Sequence, residues 1–168
     1  AKAHLKDEEE TEDSLILDLI SAAREYCESF TRRALATQTL EYYPNGFPSY
    51  NYIELPKPPI QSVTSVKHTD TDGTETTLTA DTDYIVDTVN GRIVLPYGSS
   101  WPTATLNPVN PIKIRYVTGY TTLPAQIKQA MLLLVGHWYD NRELAGDVKG
   151  HTAFSVHALL SQFKAGWF

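Results

Sequence analysis

Cysteine and methionine are nearly absent from the 168 residues, with only Cys27 and Met131. A single thiol excludes a disulfide framework within the chain and any multi-cysteine metal site. A reduced compartment or a buried thiol suits it equally. Long apolar runs are missing too: none reaches the roughly 18 residues of a membrane-spanning helix. Residues Ala1 to Glu10 are charged rather than signal-like. The expectation is a soluble protein with no export signal and no membrane partner. The chain starts at Ala rather than Met, so a few native residues are expected to precede it. Positive charge is scarce, with 14 Lys and Arg against 20 Asp and Glu and a net charge of -6. Nucleic-acid affinity comes mainly from clustered cations that release counterions, so tight DNA binding is not expected.

Constellations that carry chemistry are missing as well. His68-Thr-Asp-Thr-Asp-Gly73 places oxygens at Asp70 and Asp72 as a calcium loop does. However, His68 would occupy the first ligand position and Thr79 the twelfth, where a bidentate Glu is needed, and strands flank the stretch. The histidines, at 4, 68, 137, 151 and 157, include no pair at a helical three-or-four spacing. Gly98-Ser99-Ser100-Trp101 lacks the second glycine of a nucleophile elbow, and no Gly-rich loop precedes a Lys-Ser or Lys-Thr pair. Asp140, Arg142 and Glu143 read as a solvated helix end. The expectation is a protein that is not an enzyme, with no catalytic residues, no metal and no cofactor.

What is present points to one folded domain, 42% hydrophobic and 20% charged. Ten tyrosines and three tryptophans either line a sheet face or serve where proteins meet. From about Thr11 to Leu35, Ile16, Leu19, Ile20, Ala23, Cys27, Phe30 and Ala34 recur at three and four, which predicts an amphipathic helix. Thr11 or Asp13 can cap it; acids Asp7 to Glu12 sit at its positive end and Arg32 and Arg33 at its negative end. The period then becomes two, predicting strands at 37–43, 52–55, 60–68, 74–78, 83–87, 92–95 and 112–117. Asp72-Gly73 and Asn90-Gly91 predict hairpin turns. Prolines punctuate two long loops, Pro44 to Asn51 and Tyr97 to Pro111. A second helix starts near Pro124, with Thr121 or Thr122 as cap, and is apolar almost all round through Leu132 and Leu133. Glycines 146 and 150 precede a short final helix, Phe154 to Phe163, and the chain closes on Trp167 and Phe168.

The fold expected is α+β, a helical bundle of long N-terminal, long C-terminal and short final helices with an inserted antiparallel β subdomain. It forms a single domain, 1–168, whose helical part is 1–36 and 120–165 and whose insertion is 37–118.

Four stretches in order resemble the head-tail connector adaptor family of tailed phages, which includes adaptors of gene transfer agents. They are Ala1-Lys-Ala-His-Leu5 before the acidic run; Ser14 to Leu35, with Ala22-Ala-Arg-Glu-Tyr26 and Phe30-Thr-Arg-Arg-Ala34; Ile53-Glu-Leu-Pro-Lys-Pro-Pro-Ile60-Gln-Ser-Val63; and Leu123-Pro-Ala-Gln-Ile-Lys-Gln-Ala130 through Trp138 to Arg142. Val156 to Phe163 looks like the family's closing helical turn. The resemblance implies a structural subunit that assembles in the bacterial host cytoplasm and resides in the virion neck. There it forms a ring, typically of twelve copies, beneath the portal protein, and also binds a stopper or tail-completion protein. DNA passes through the ring without specific binding, and an acidic protein suits a channel that must not grip phosphates. Part of the acidic surface is expected to face that lumen. Phe163, Trp167 and Phe168 are candidate anchors for the portal or another partner, and Tyr50, Tyr52, Tyr97 and Trp101 a candidate loop interface. The rival reading is a monomeric ligand- or glycan-binding β module, with Tyr42, Tyr43, Tyr50, Tyr52 and Tyr97 as a stacking surface.

Overall fold

A computed structural model describes residues 12–141 and 150–166, without the side chains of 150–153. Thr11, the acidic residues before Glu12, Arg142, Glu143, Trp167 and Phe168 lie outside the described residues. The chain divides into two compact units: residues up to Leu35 together with Thr122–Gly166, and Ala36–Thr121.

In the first unit, α1 (Asp13–Thr31) follows the predicted period and turns Ile16, Ala23, Cys27 and Thr31 inward. At its start Glu12 takes the cap position without a side-chain capping bond, and it stops where Arg32 enters the left-handed region at φ 56°. Glu28 then accepts a hydrogen bond from the Leu35 amide at 2.9 Å, holding the chain beyond the helix end. The second helix, α2 (Ala125–Asp140), begins after Pro124, which takes the cap position itself with no side-chain cap. Its buried residues are Ile127, Ala130, Leu134 and Val135. Asn141 closes it, its side-chain amide donating to the His137 carbonyl at 2.8 Å. The third, α3 (Gly150–Leu160), runs into a 3-10 turn at Ser161–Phe163 and buries Val156 and Leu160.

The second unit holds seven strands, each within two residues of its predicted bounds. One sheet has the order β1-β7-β3-β4, from β1 (Gln38–Tyr42), β3 (Ile60–Thr69), β4 (Glu75–Leu78) and β7 (Ile112–Thr118). The other has the order β2-β6-β5, from β2 (Tyr52–Glu54), β5 (Ile85–Asp87) and β6 (Arg92–Val94). All strand pairs are antiparallel. In β7 the alternation of a half-buried sheet is plain: Ile112, Ile114, Tyr116 and Thr118 are buried while Arg115 between them is exposed. Ile53 pairs with Ile93 across the second sheet, and both join Val66, Ile112, Ile114 and Tyr116 in one core drawn from the two sheets.

Both predicted dipeptides make turns with positive φ, Gly73 at 83° and Gly91 at 69°. In the first, the Asp70 carboxylate accepts the amides of Asp72 and Thr74 at 3.0 and 2.9 Å. The Asp70 carboxylate that resembled a calcium ligand therefore serves the hairpin. In the second, Asp87 accepts from the Asn90 amide at 3.1 Å and from Arg92 Nε at 3.0 Å.

The expected helical bundle with a β insertion is overturned. Three α-helices, of 19, 16 and 11 residues, stand among the described residues beside two antiparallel sheets, in a mixed α+β fold with a β-rich core. The physical reason is side-chain volume. The inward stripe of α1 is largely small (Ala23, Cys27, Thr31), so that helix contributes little apolar bulk. Tyr116, the bulkiest fully buried side chain, belongs to the β unit, as do Leu55, Ile93, Ile112 and Ile114, against Ile127, Leu134 and Leu160 in the helical unit. Each such aliphatic or aromatic burial is worth about 1.5–3 kcal/mol, so much of the core's apolar stabilisation lies in the sheets.

Candidate assembly surfaces

Among the described residues, the thiol of Cys27 and the ring of His68 are buried. Cys27 is fully buried; burial first, and the neighbouring Glu28 charge second, push its thiol up to about 11. A thiol held neutral is a poor nucleophile. In the unfolded chain it ionises near 9, so above that pH the unfolded state releases a proton that the folded state keeps. Stability from this group is complete below about pH 9 and lost as pH rises to about 11, an expected loss of about 2–3 kcal/mol. Denaturant midpoints measured from pH 8 to 11 should fall, and fall less in Cys27→Ala. His68 is buried on β3 and forms a T-shaped pair with Phe47, 5.9 Å between centroids. Among the described residues no cluster of three His, Cys, Asp or Glu is arranged to hold a metal ion.

The surface offers recesses and aromatic rings instead. One recess of about 240 Å³ is lined by Tyr42, Pro44, Gly46, Pro48, Tyr50, Ile53 and Glu54. Tyr50 is 55% exposed and lies 4.7 Å from the Tyr52 ring, and Arg92 stands over Tyr52 at 5.1 Å. Just beyond β1, the Tyr43 hydroxyl and Lys113 both bond to the Glu41 carboxylate, holding it below its ordinary range. Tyr97 is fully exposed on the turn Pro96-Tyr97-Gly98-Ser99, closed by the Ser99 amide on the Pro96 carbonyl at 3.1 Å. Trp101 is different: it is 8% exposed, stacks on Phe47 at 5.3 Å and donates its indole N–H to the Tyr50 carbonyl at 2.9 Å. Of the predicted loop residues, then, Tyr50 and Tyr52 come together, Tyr97 stands out alone, and Trp101 sits in the core and fastens the loop that carries Tyr50. A second recess of about 410 Å³ is lined partly by Thr82, Asp83, Ser99, Ser100 and Trp101.

In the helical unit, the Tyr26 hydroxyl meets His157 Nε2 at 3.1 Å, and Phe30 stacks on His157 at 4.8 Å. The segment after α3 folds back on the end of α1. Arg33 Nε donates to the Phe163 carbonyl, the Ala165 amide to the Thr31 carbonyl at 2.8 Å, and Lys164 stands 5.7 Å over the Phe30 ring. Phe163 is half-buried and Ala165 buried. Residues through Ala165 therefore belong to the folded unit rather than to a free tail.

Two antiparallel sheets around one core, a separate helical unit, and a surface with aromatic recesses characterise the fold. The chain belongs to the head completion protein family, whose model matches residues 2–153. Three solved chains from gene transfer agent particles share the fold. A chain in the neck of an empty particle, computed with C6 symmetry, superposes with a TM-score of 0.81 at 23% identity, over 99% of this chain and 88% of that one. One in the neck of a native particle, computed with C12 symmetry, gives 0.76 at 23%, over 99% and 89%. One in a native virion gives 0.74 at 22%, over 94% and 80%. No curated protein matches the sequence.

Proposed function

We propose that the chain is a structural head-tail connector subunit of a tailed phage or gene transfer agent. Copies form a ring, of twelve by this reading, beneath the portal protein; the ring joins the DNA-filled head to the tail through a stopper or tail-completion protein. The observation that carries this reading is the family match across residues 2–153. The likeness to neck chains solved with C6 and C12 symmetry supports it, as does an acidic composition that leaves passing DNA ungripped. Part of the acidic surface faces the lumen. The C-terminal Phe163, Trp167 and Phe168 anchor a partner, with Tyr50, Tyr52 and Tyr97 at a loop interface that Trp101 supports from beneath.

Cells making the particle without this chain should accumulate DNA-filled heads and separate tails, with almost no tailed particles by electron microscopy. A normal yield of tailed particles would sink the reading. Truncation after Gly166, sparing the Ala165 bond to Thr31, should lower tail attachment with the melting temperature unchanged. Cutting after Lys164 would instead remove Ala165, a buried residue of the fold, and confuse the two effects.

A further inference from the structure

Charge in the β unit is unevenly placed. Six of its eight carboxylates, Asp70, Asp72, Glu75, Asp81, Asp83 and Asp87, lie between residues 70 and 87, a stretch without Lys or Arg. The other two are Glu41 and Glu54, and all five cations, Lys57, Lys67, Arg92, Lys113 and Arg115, lie outside the stretch.

Topology turns this into a difference between two sides. β4 and β5 are edge strands of the two sheets, joined by a tight turn in which the Asp81 amide donates to the Tyr84 carbonyl at 2.8 Å. The acidic stretch therefore forms one side of the sandwich. Within it Glu75 pairs with Lys67 and Asp87 with Arg92. β1 and β2 are the opposite edges, and residues at the ends of both line the recess containing Tyr42 and Tyr50. On that side β7 lies next to β1, bringing Lys113 to Glu41 at 3.1 Å and leaving Arg115 exposed. Apolar groups accompany each side: Ile85, 45% exposed, on the acidic side, with Val89, 91% exposed, in the β5–β6 turn that follows it, and Tyr43 and Tyr50 on the other.

We infer that the β units of neighbouring copies associate head to tail, the acidic side of one copy against the recess side of the next. This rests on the ring reading above. A two-fold contact between acidic sides would set carboxylates against carboxylates, whereas a head-to-tail contact sets them against a side where Lys113 and Arg115 balance Glu41 and Glu54. Only the head-to-tail arrangement also propagates into a closed ring. Charges at the rim fix partner and register, while Ile85 and Val89 entering the aromatic recess bury the apolar area.

The test uses assembled particles carrying Cys27→Ala with both Tyr43→Cys and Val89→Cys, treated with a short bis-maleimide. A ladder of covalent oligomers of this chain is expected, and none from either single cysteine. No ladder from the pair, or a dimer from one single cysteine, overturns the inference. Separately, Arg115→Glu should lower the yield of tailed particles by about tenfold or more, as like charges meet across the contact. Adding Asp72→Lys and Glu75→Lys to the same chain should restore it, with thermal melts confirming that each variant folds. Failure to restore overturns the head-to-tail contact, while absence of the wild-type chain from purified necks overturns the reading beneath it.

Discussion

Gly119→Ala is expected to lower the melting temperature by about 6–12 °C or more, and Gly119→Val to leave little folded protein. Gly119 follows β7 at φ 107°, and a Cβ there would stand 2.1 Å from the Ala36 carbonyl oxygen, 2.5 Å from its carbon and 2.8 Å from the Thr37 amide nitrogen. All three are backbone atoms, which cannot rotate aside as a side chain would. The position is also pinned by hydrogen bonds on both sides. The Gly119 amide donates to the Pro59 carbonyl at 2.9 Å, and its carbonyl accepts from Gln61 Nε2 at 2.7 Å. Next to it, the Thr118 hydroxyl bonds to the Lys57 and Pro59 carbonyls. Positive φ alone costs about 1–3 kcal/mol for a residue with a side chain, and moving the backbone of residues 36–37 costs more. A loss of about 3 kcal/mol is a large share of the usual 5–15 kcal/mol of a domain, and at this size each kcal/mol shifts the midpoint by about 2–4 °C. Gly46→Ala is the control, since nothing lies within 4 Å of its Cβ position and its φ is not positive. Circular dichroism melts decide it. A shift for Gly119→Ala as small as that for Gly46→Ala would refute the argument.

That glycine also shows where sequence reading stops. The strands were legible because alternation and the turn dipeptides are local: Ile112, Ile114 and Tyr116 announce β7, and Asn90-Gly91 announces the turn before β6. Gly119 follows Thr118 with no turn partner to flag it, and its necessity arises from Ala36, which is remote in sequence. The segment Leu55-Pro-Lys-Pro-Pro-Ile60 reads as a loop between strands. Its real work is to offer carbonyls to β7: Pro56 to the Tyr116 hydroxyl at 2.8 Å, Lys57 and Pro59 to Thr118. Burial and the nearby Tyr42 push the Tyr116 phenol up to about 12, consistent with a hydroxyl enclosed by the fold. Periodicity placed α1 and α2 correctly but carries no measure of buried volume, and hence the expected helical bundle missed that the core is β-rich. The candidate surfaces divide in the same way. Tyr50 and Tyr52 stand out in the sequence as candidates and their rings lie together, while the uneven charge of the β unit takes on a spatial meaning only with the strand order.

Trp101→Ala should cost about 3–5 kcal/mol, as truncating a buried tryptophan does, and lower the melting temperature by about 6–20 °C. Tyr97→Ala, four residues away, should stay within about 0.5 kcal/mol of wild type. Composition treats both as loop aromatics, but the turn at Pro96 to Ser99 points Tyr97 wholly into solvent, while Trp101 returns to the core. There it stacks on Phe47 and reaches the Tyr50 carbonyl, both on the segment joining β1 to β2. Losing the indole therefore leaves a cavity, unpairs a carbonyl, and releases the segment that forms one wall of the aromatic recess. Trp101→Phe separates these contributions. It keeps an aromatic ring against Phe47 but loses the N–H donor, with an expected cost of about 1–3 kcal/mol for the unpaired carbonyl. Chemical denaturation read by fluorescence and circular dichroism gives all three values. Because Tyr97→Ala leaves the fold untouched, any fall in tail attachment it causes reports contact with a partner. A fall with Trp101→Ala reports folding first. If Tyr97→Ala melts several degrees below wild type, its ring has a packing role that its full exposure denies. If Trp101→Ala melts with wild type, Trp101 does not fasten the loop, and the recess owes its shape to the prolines alone.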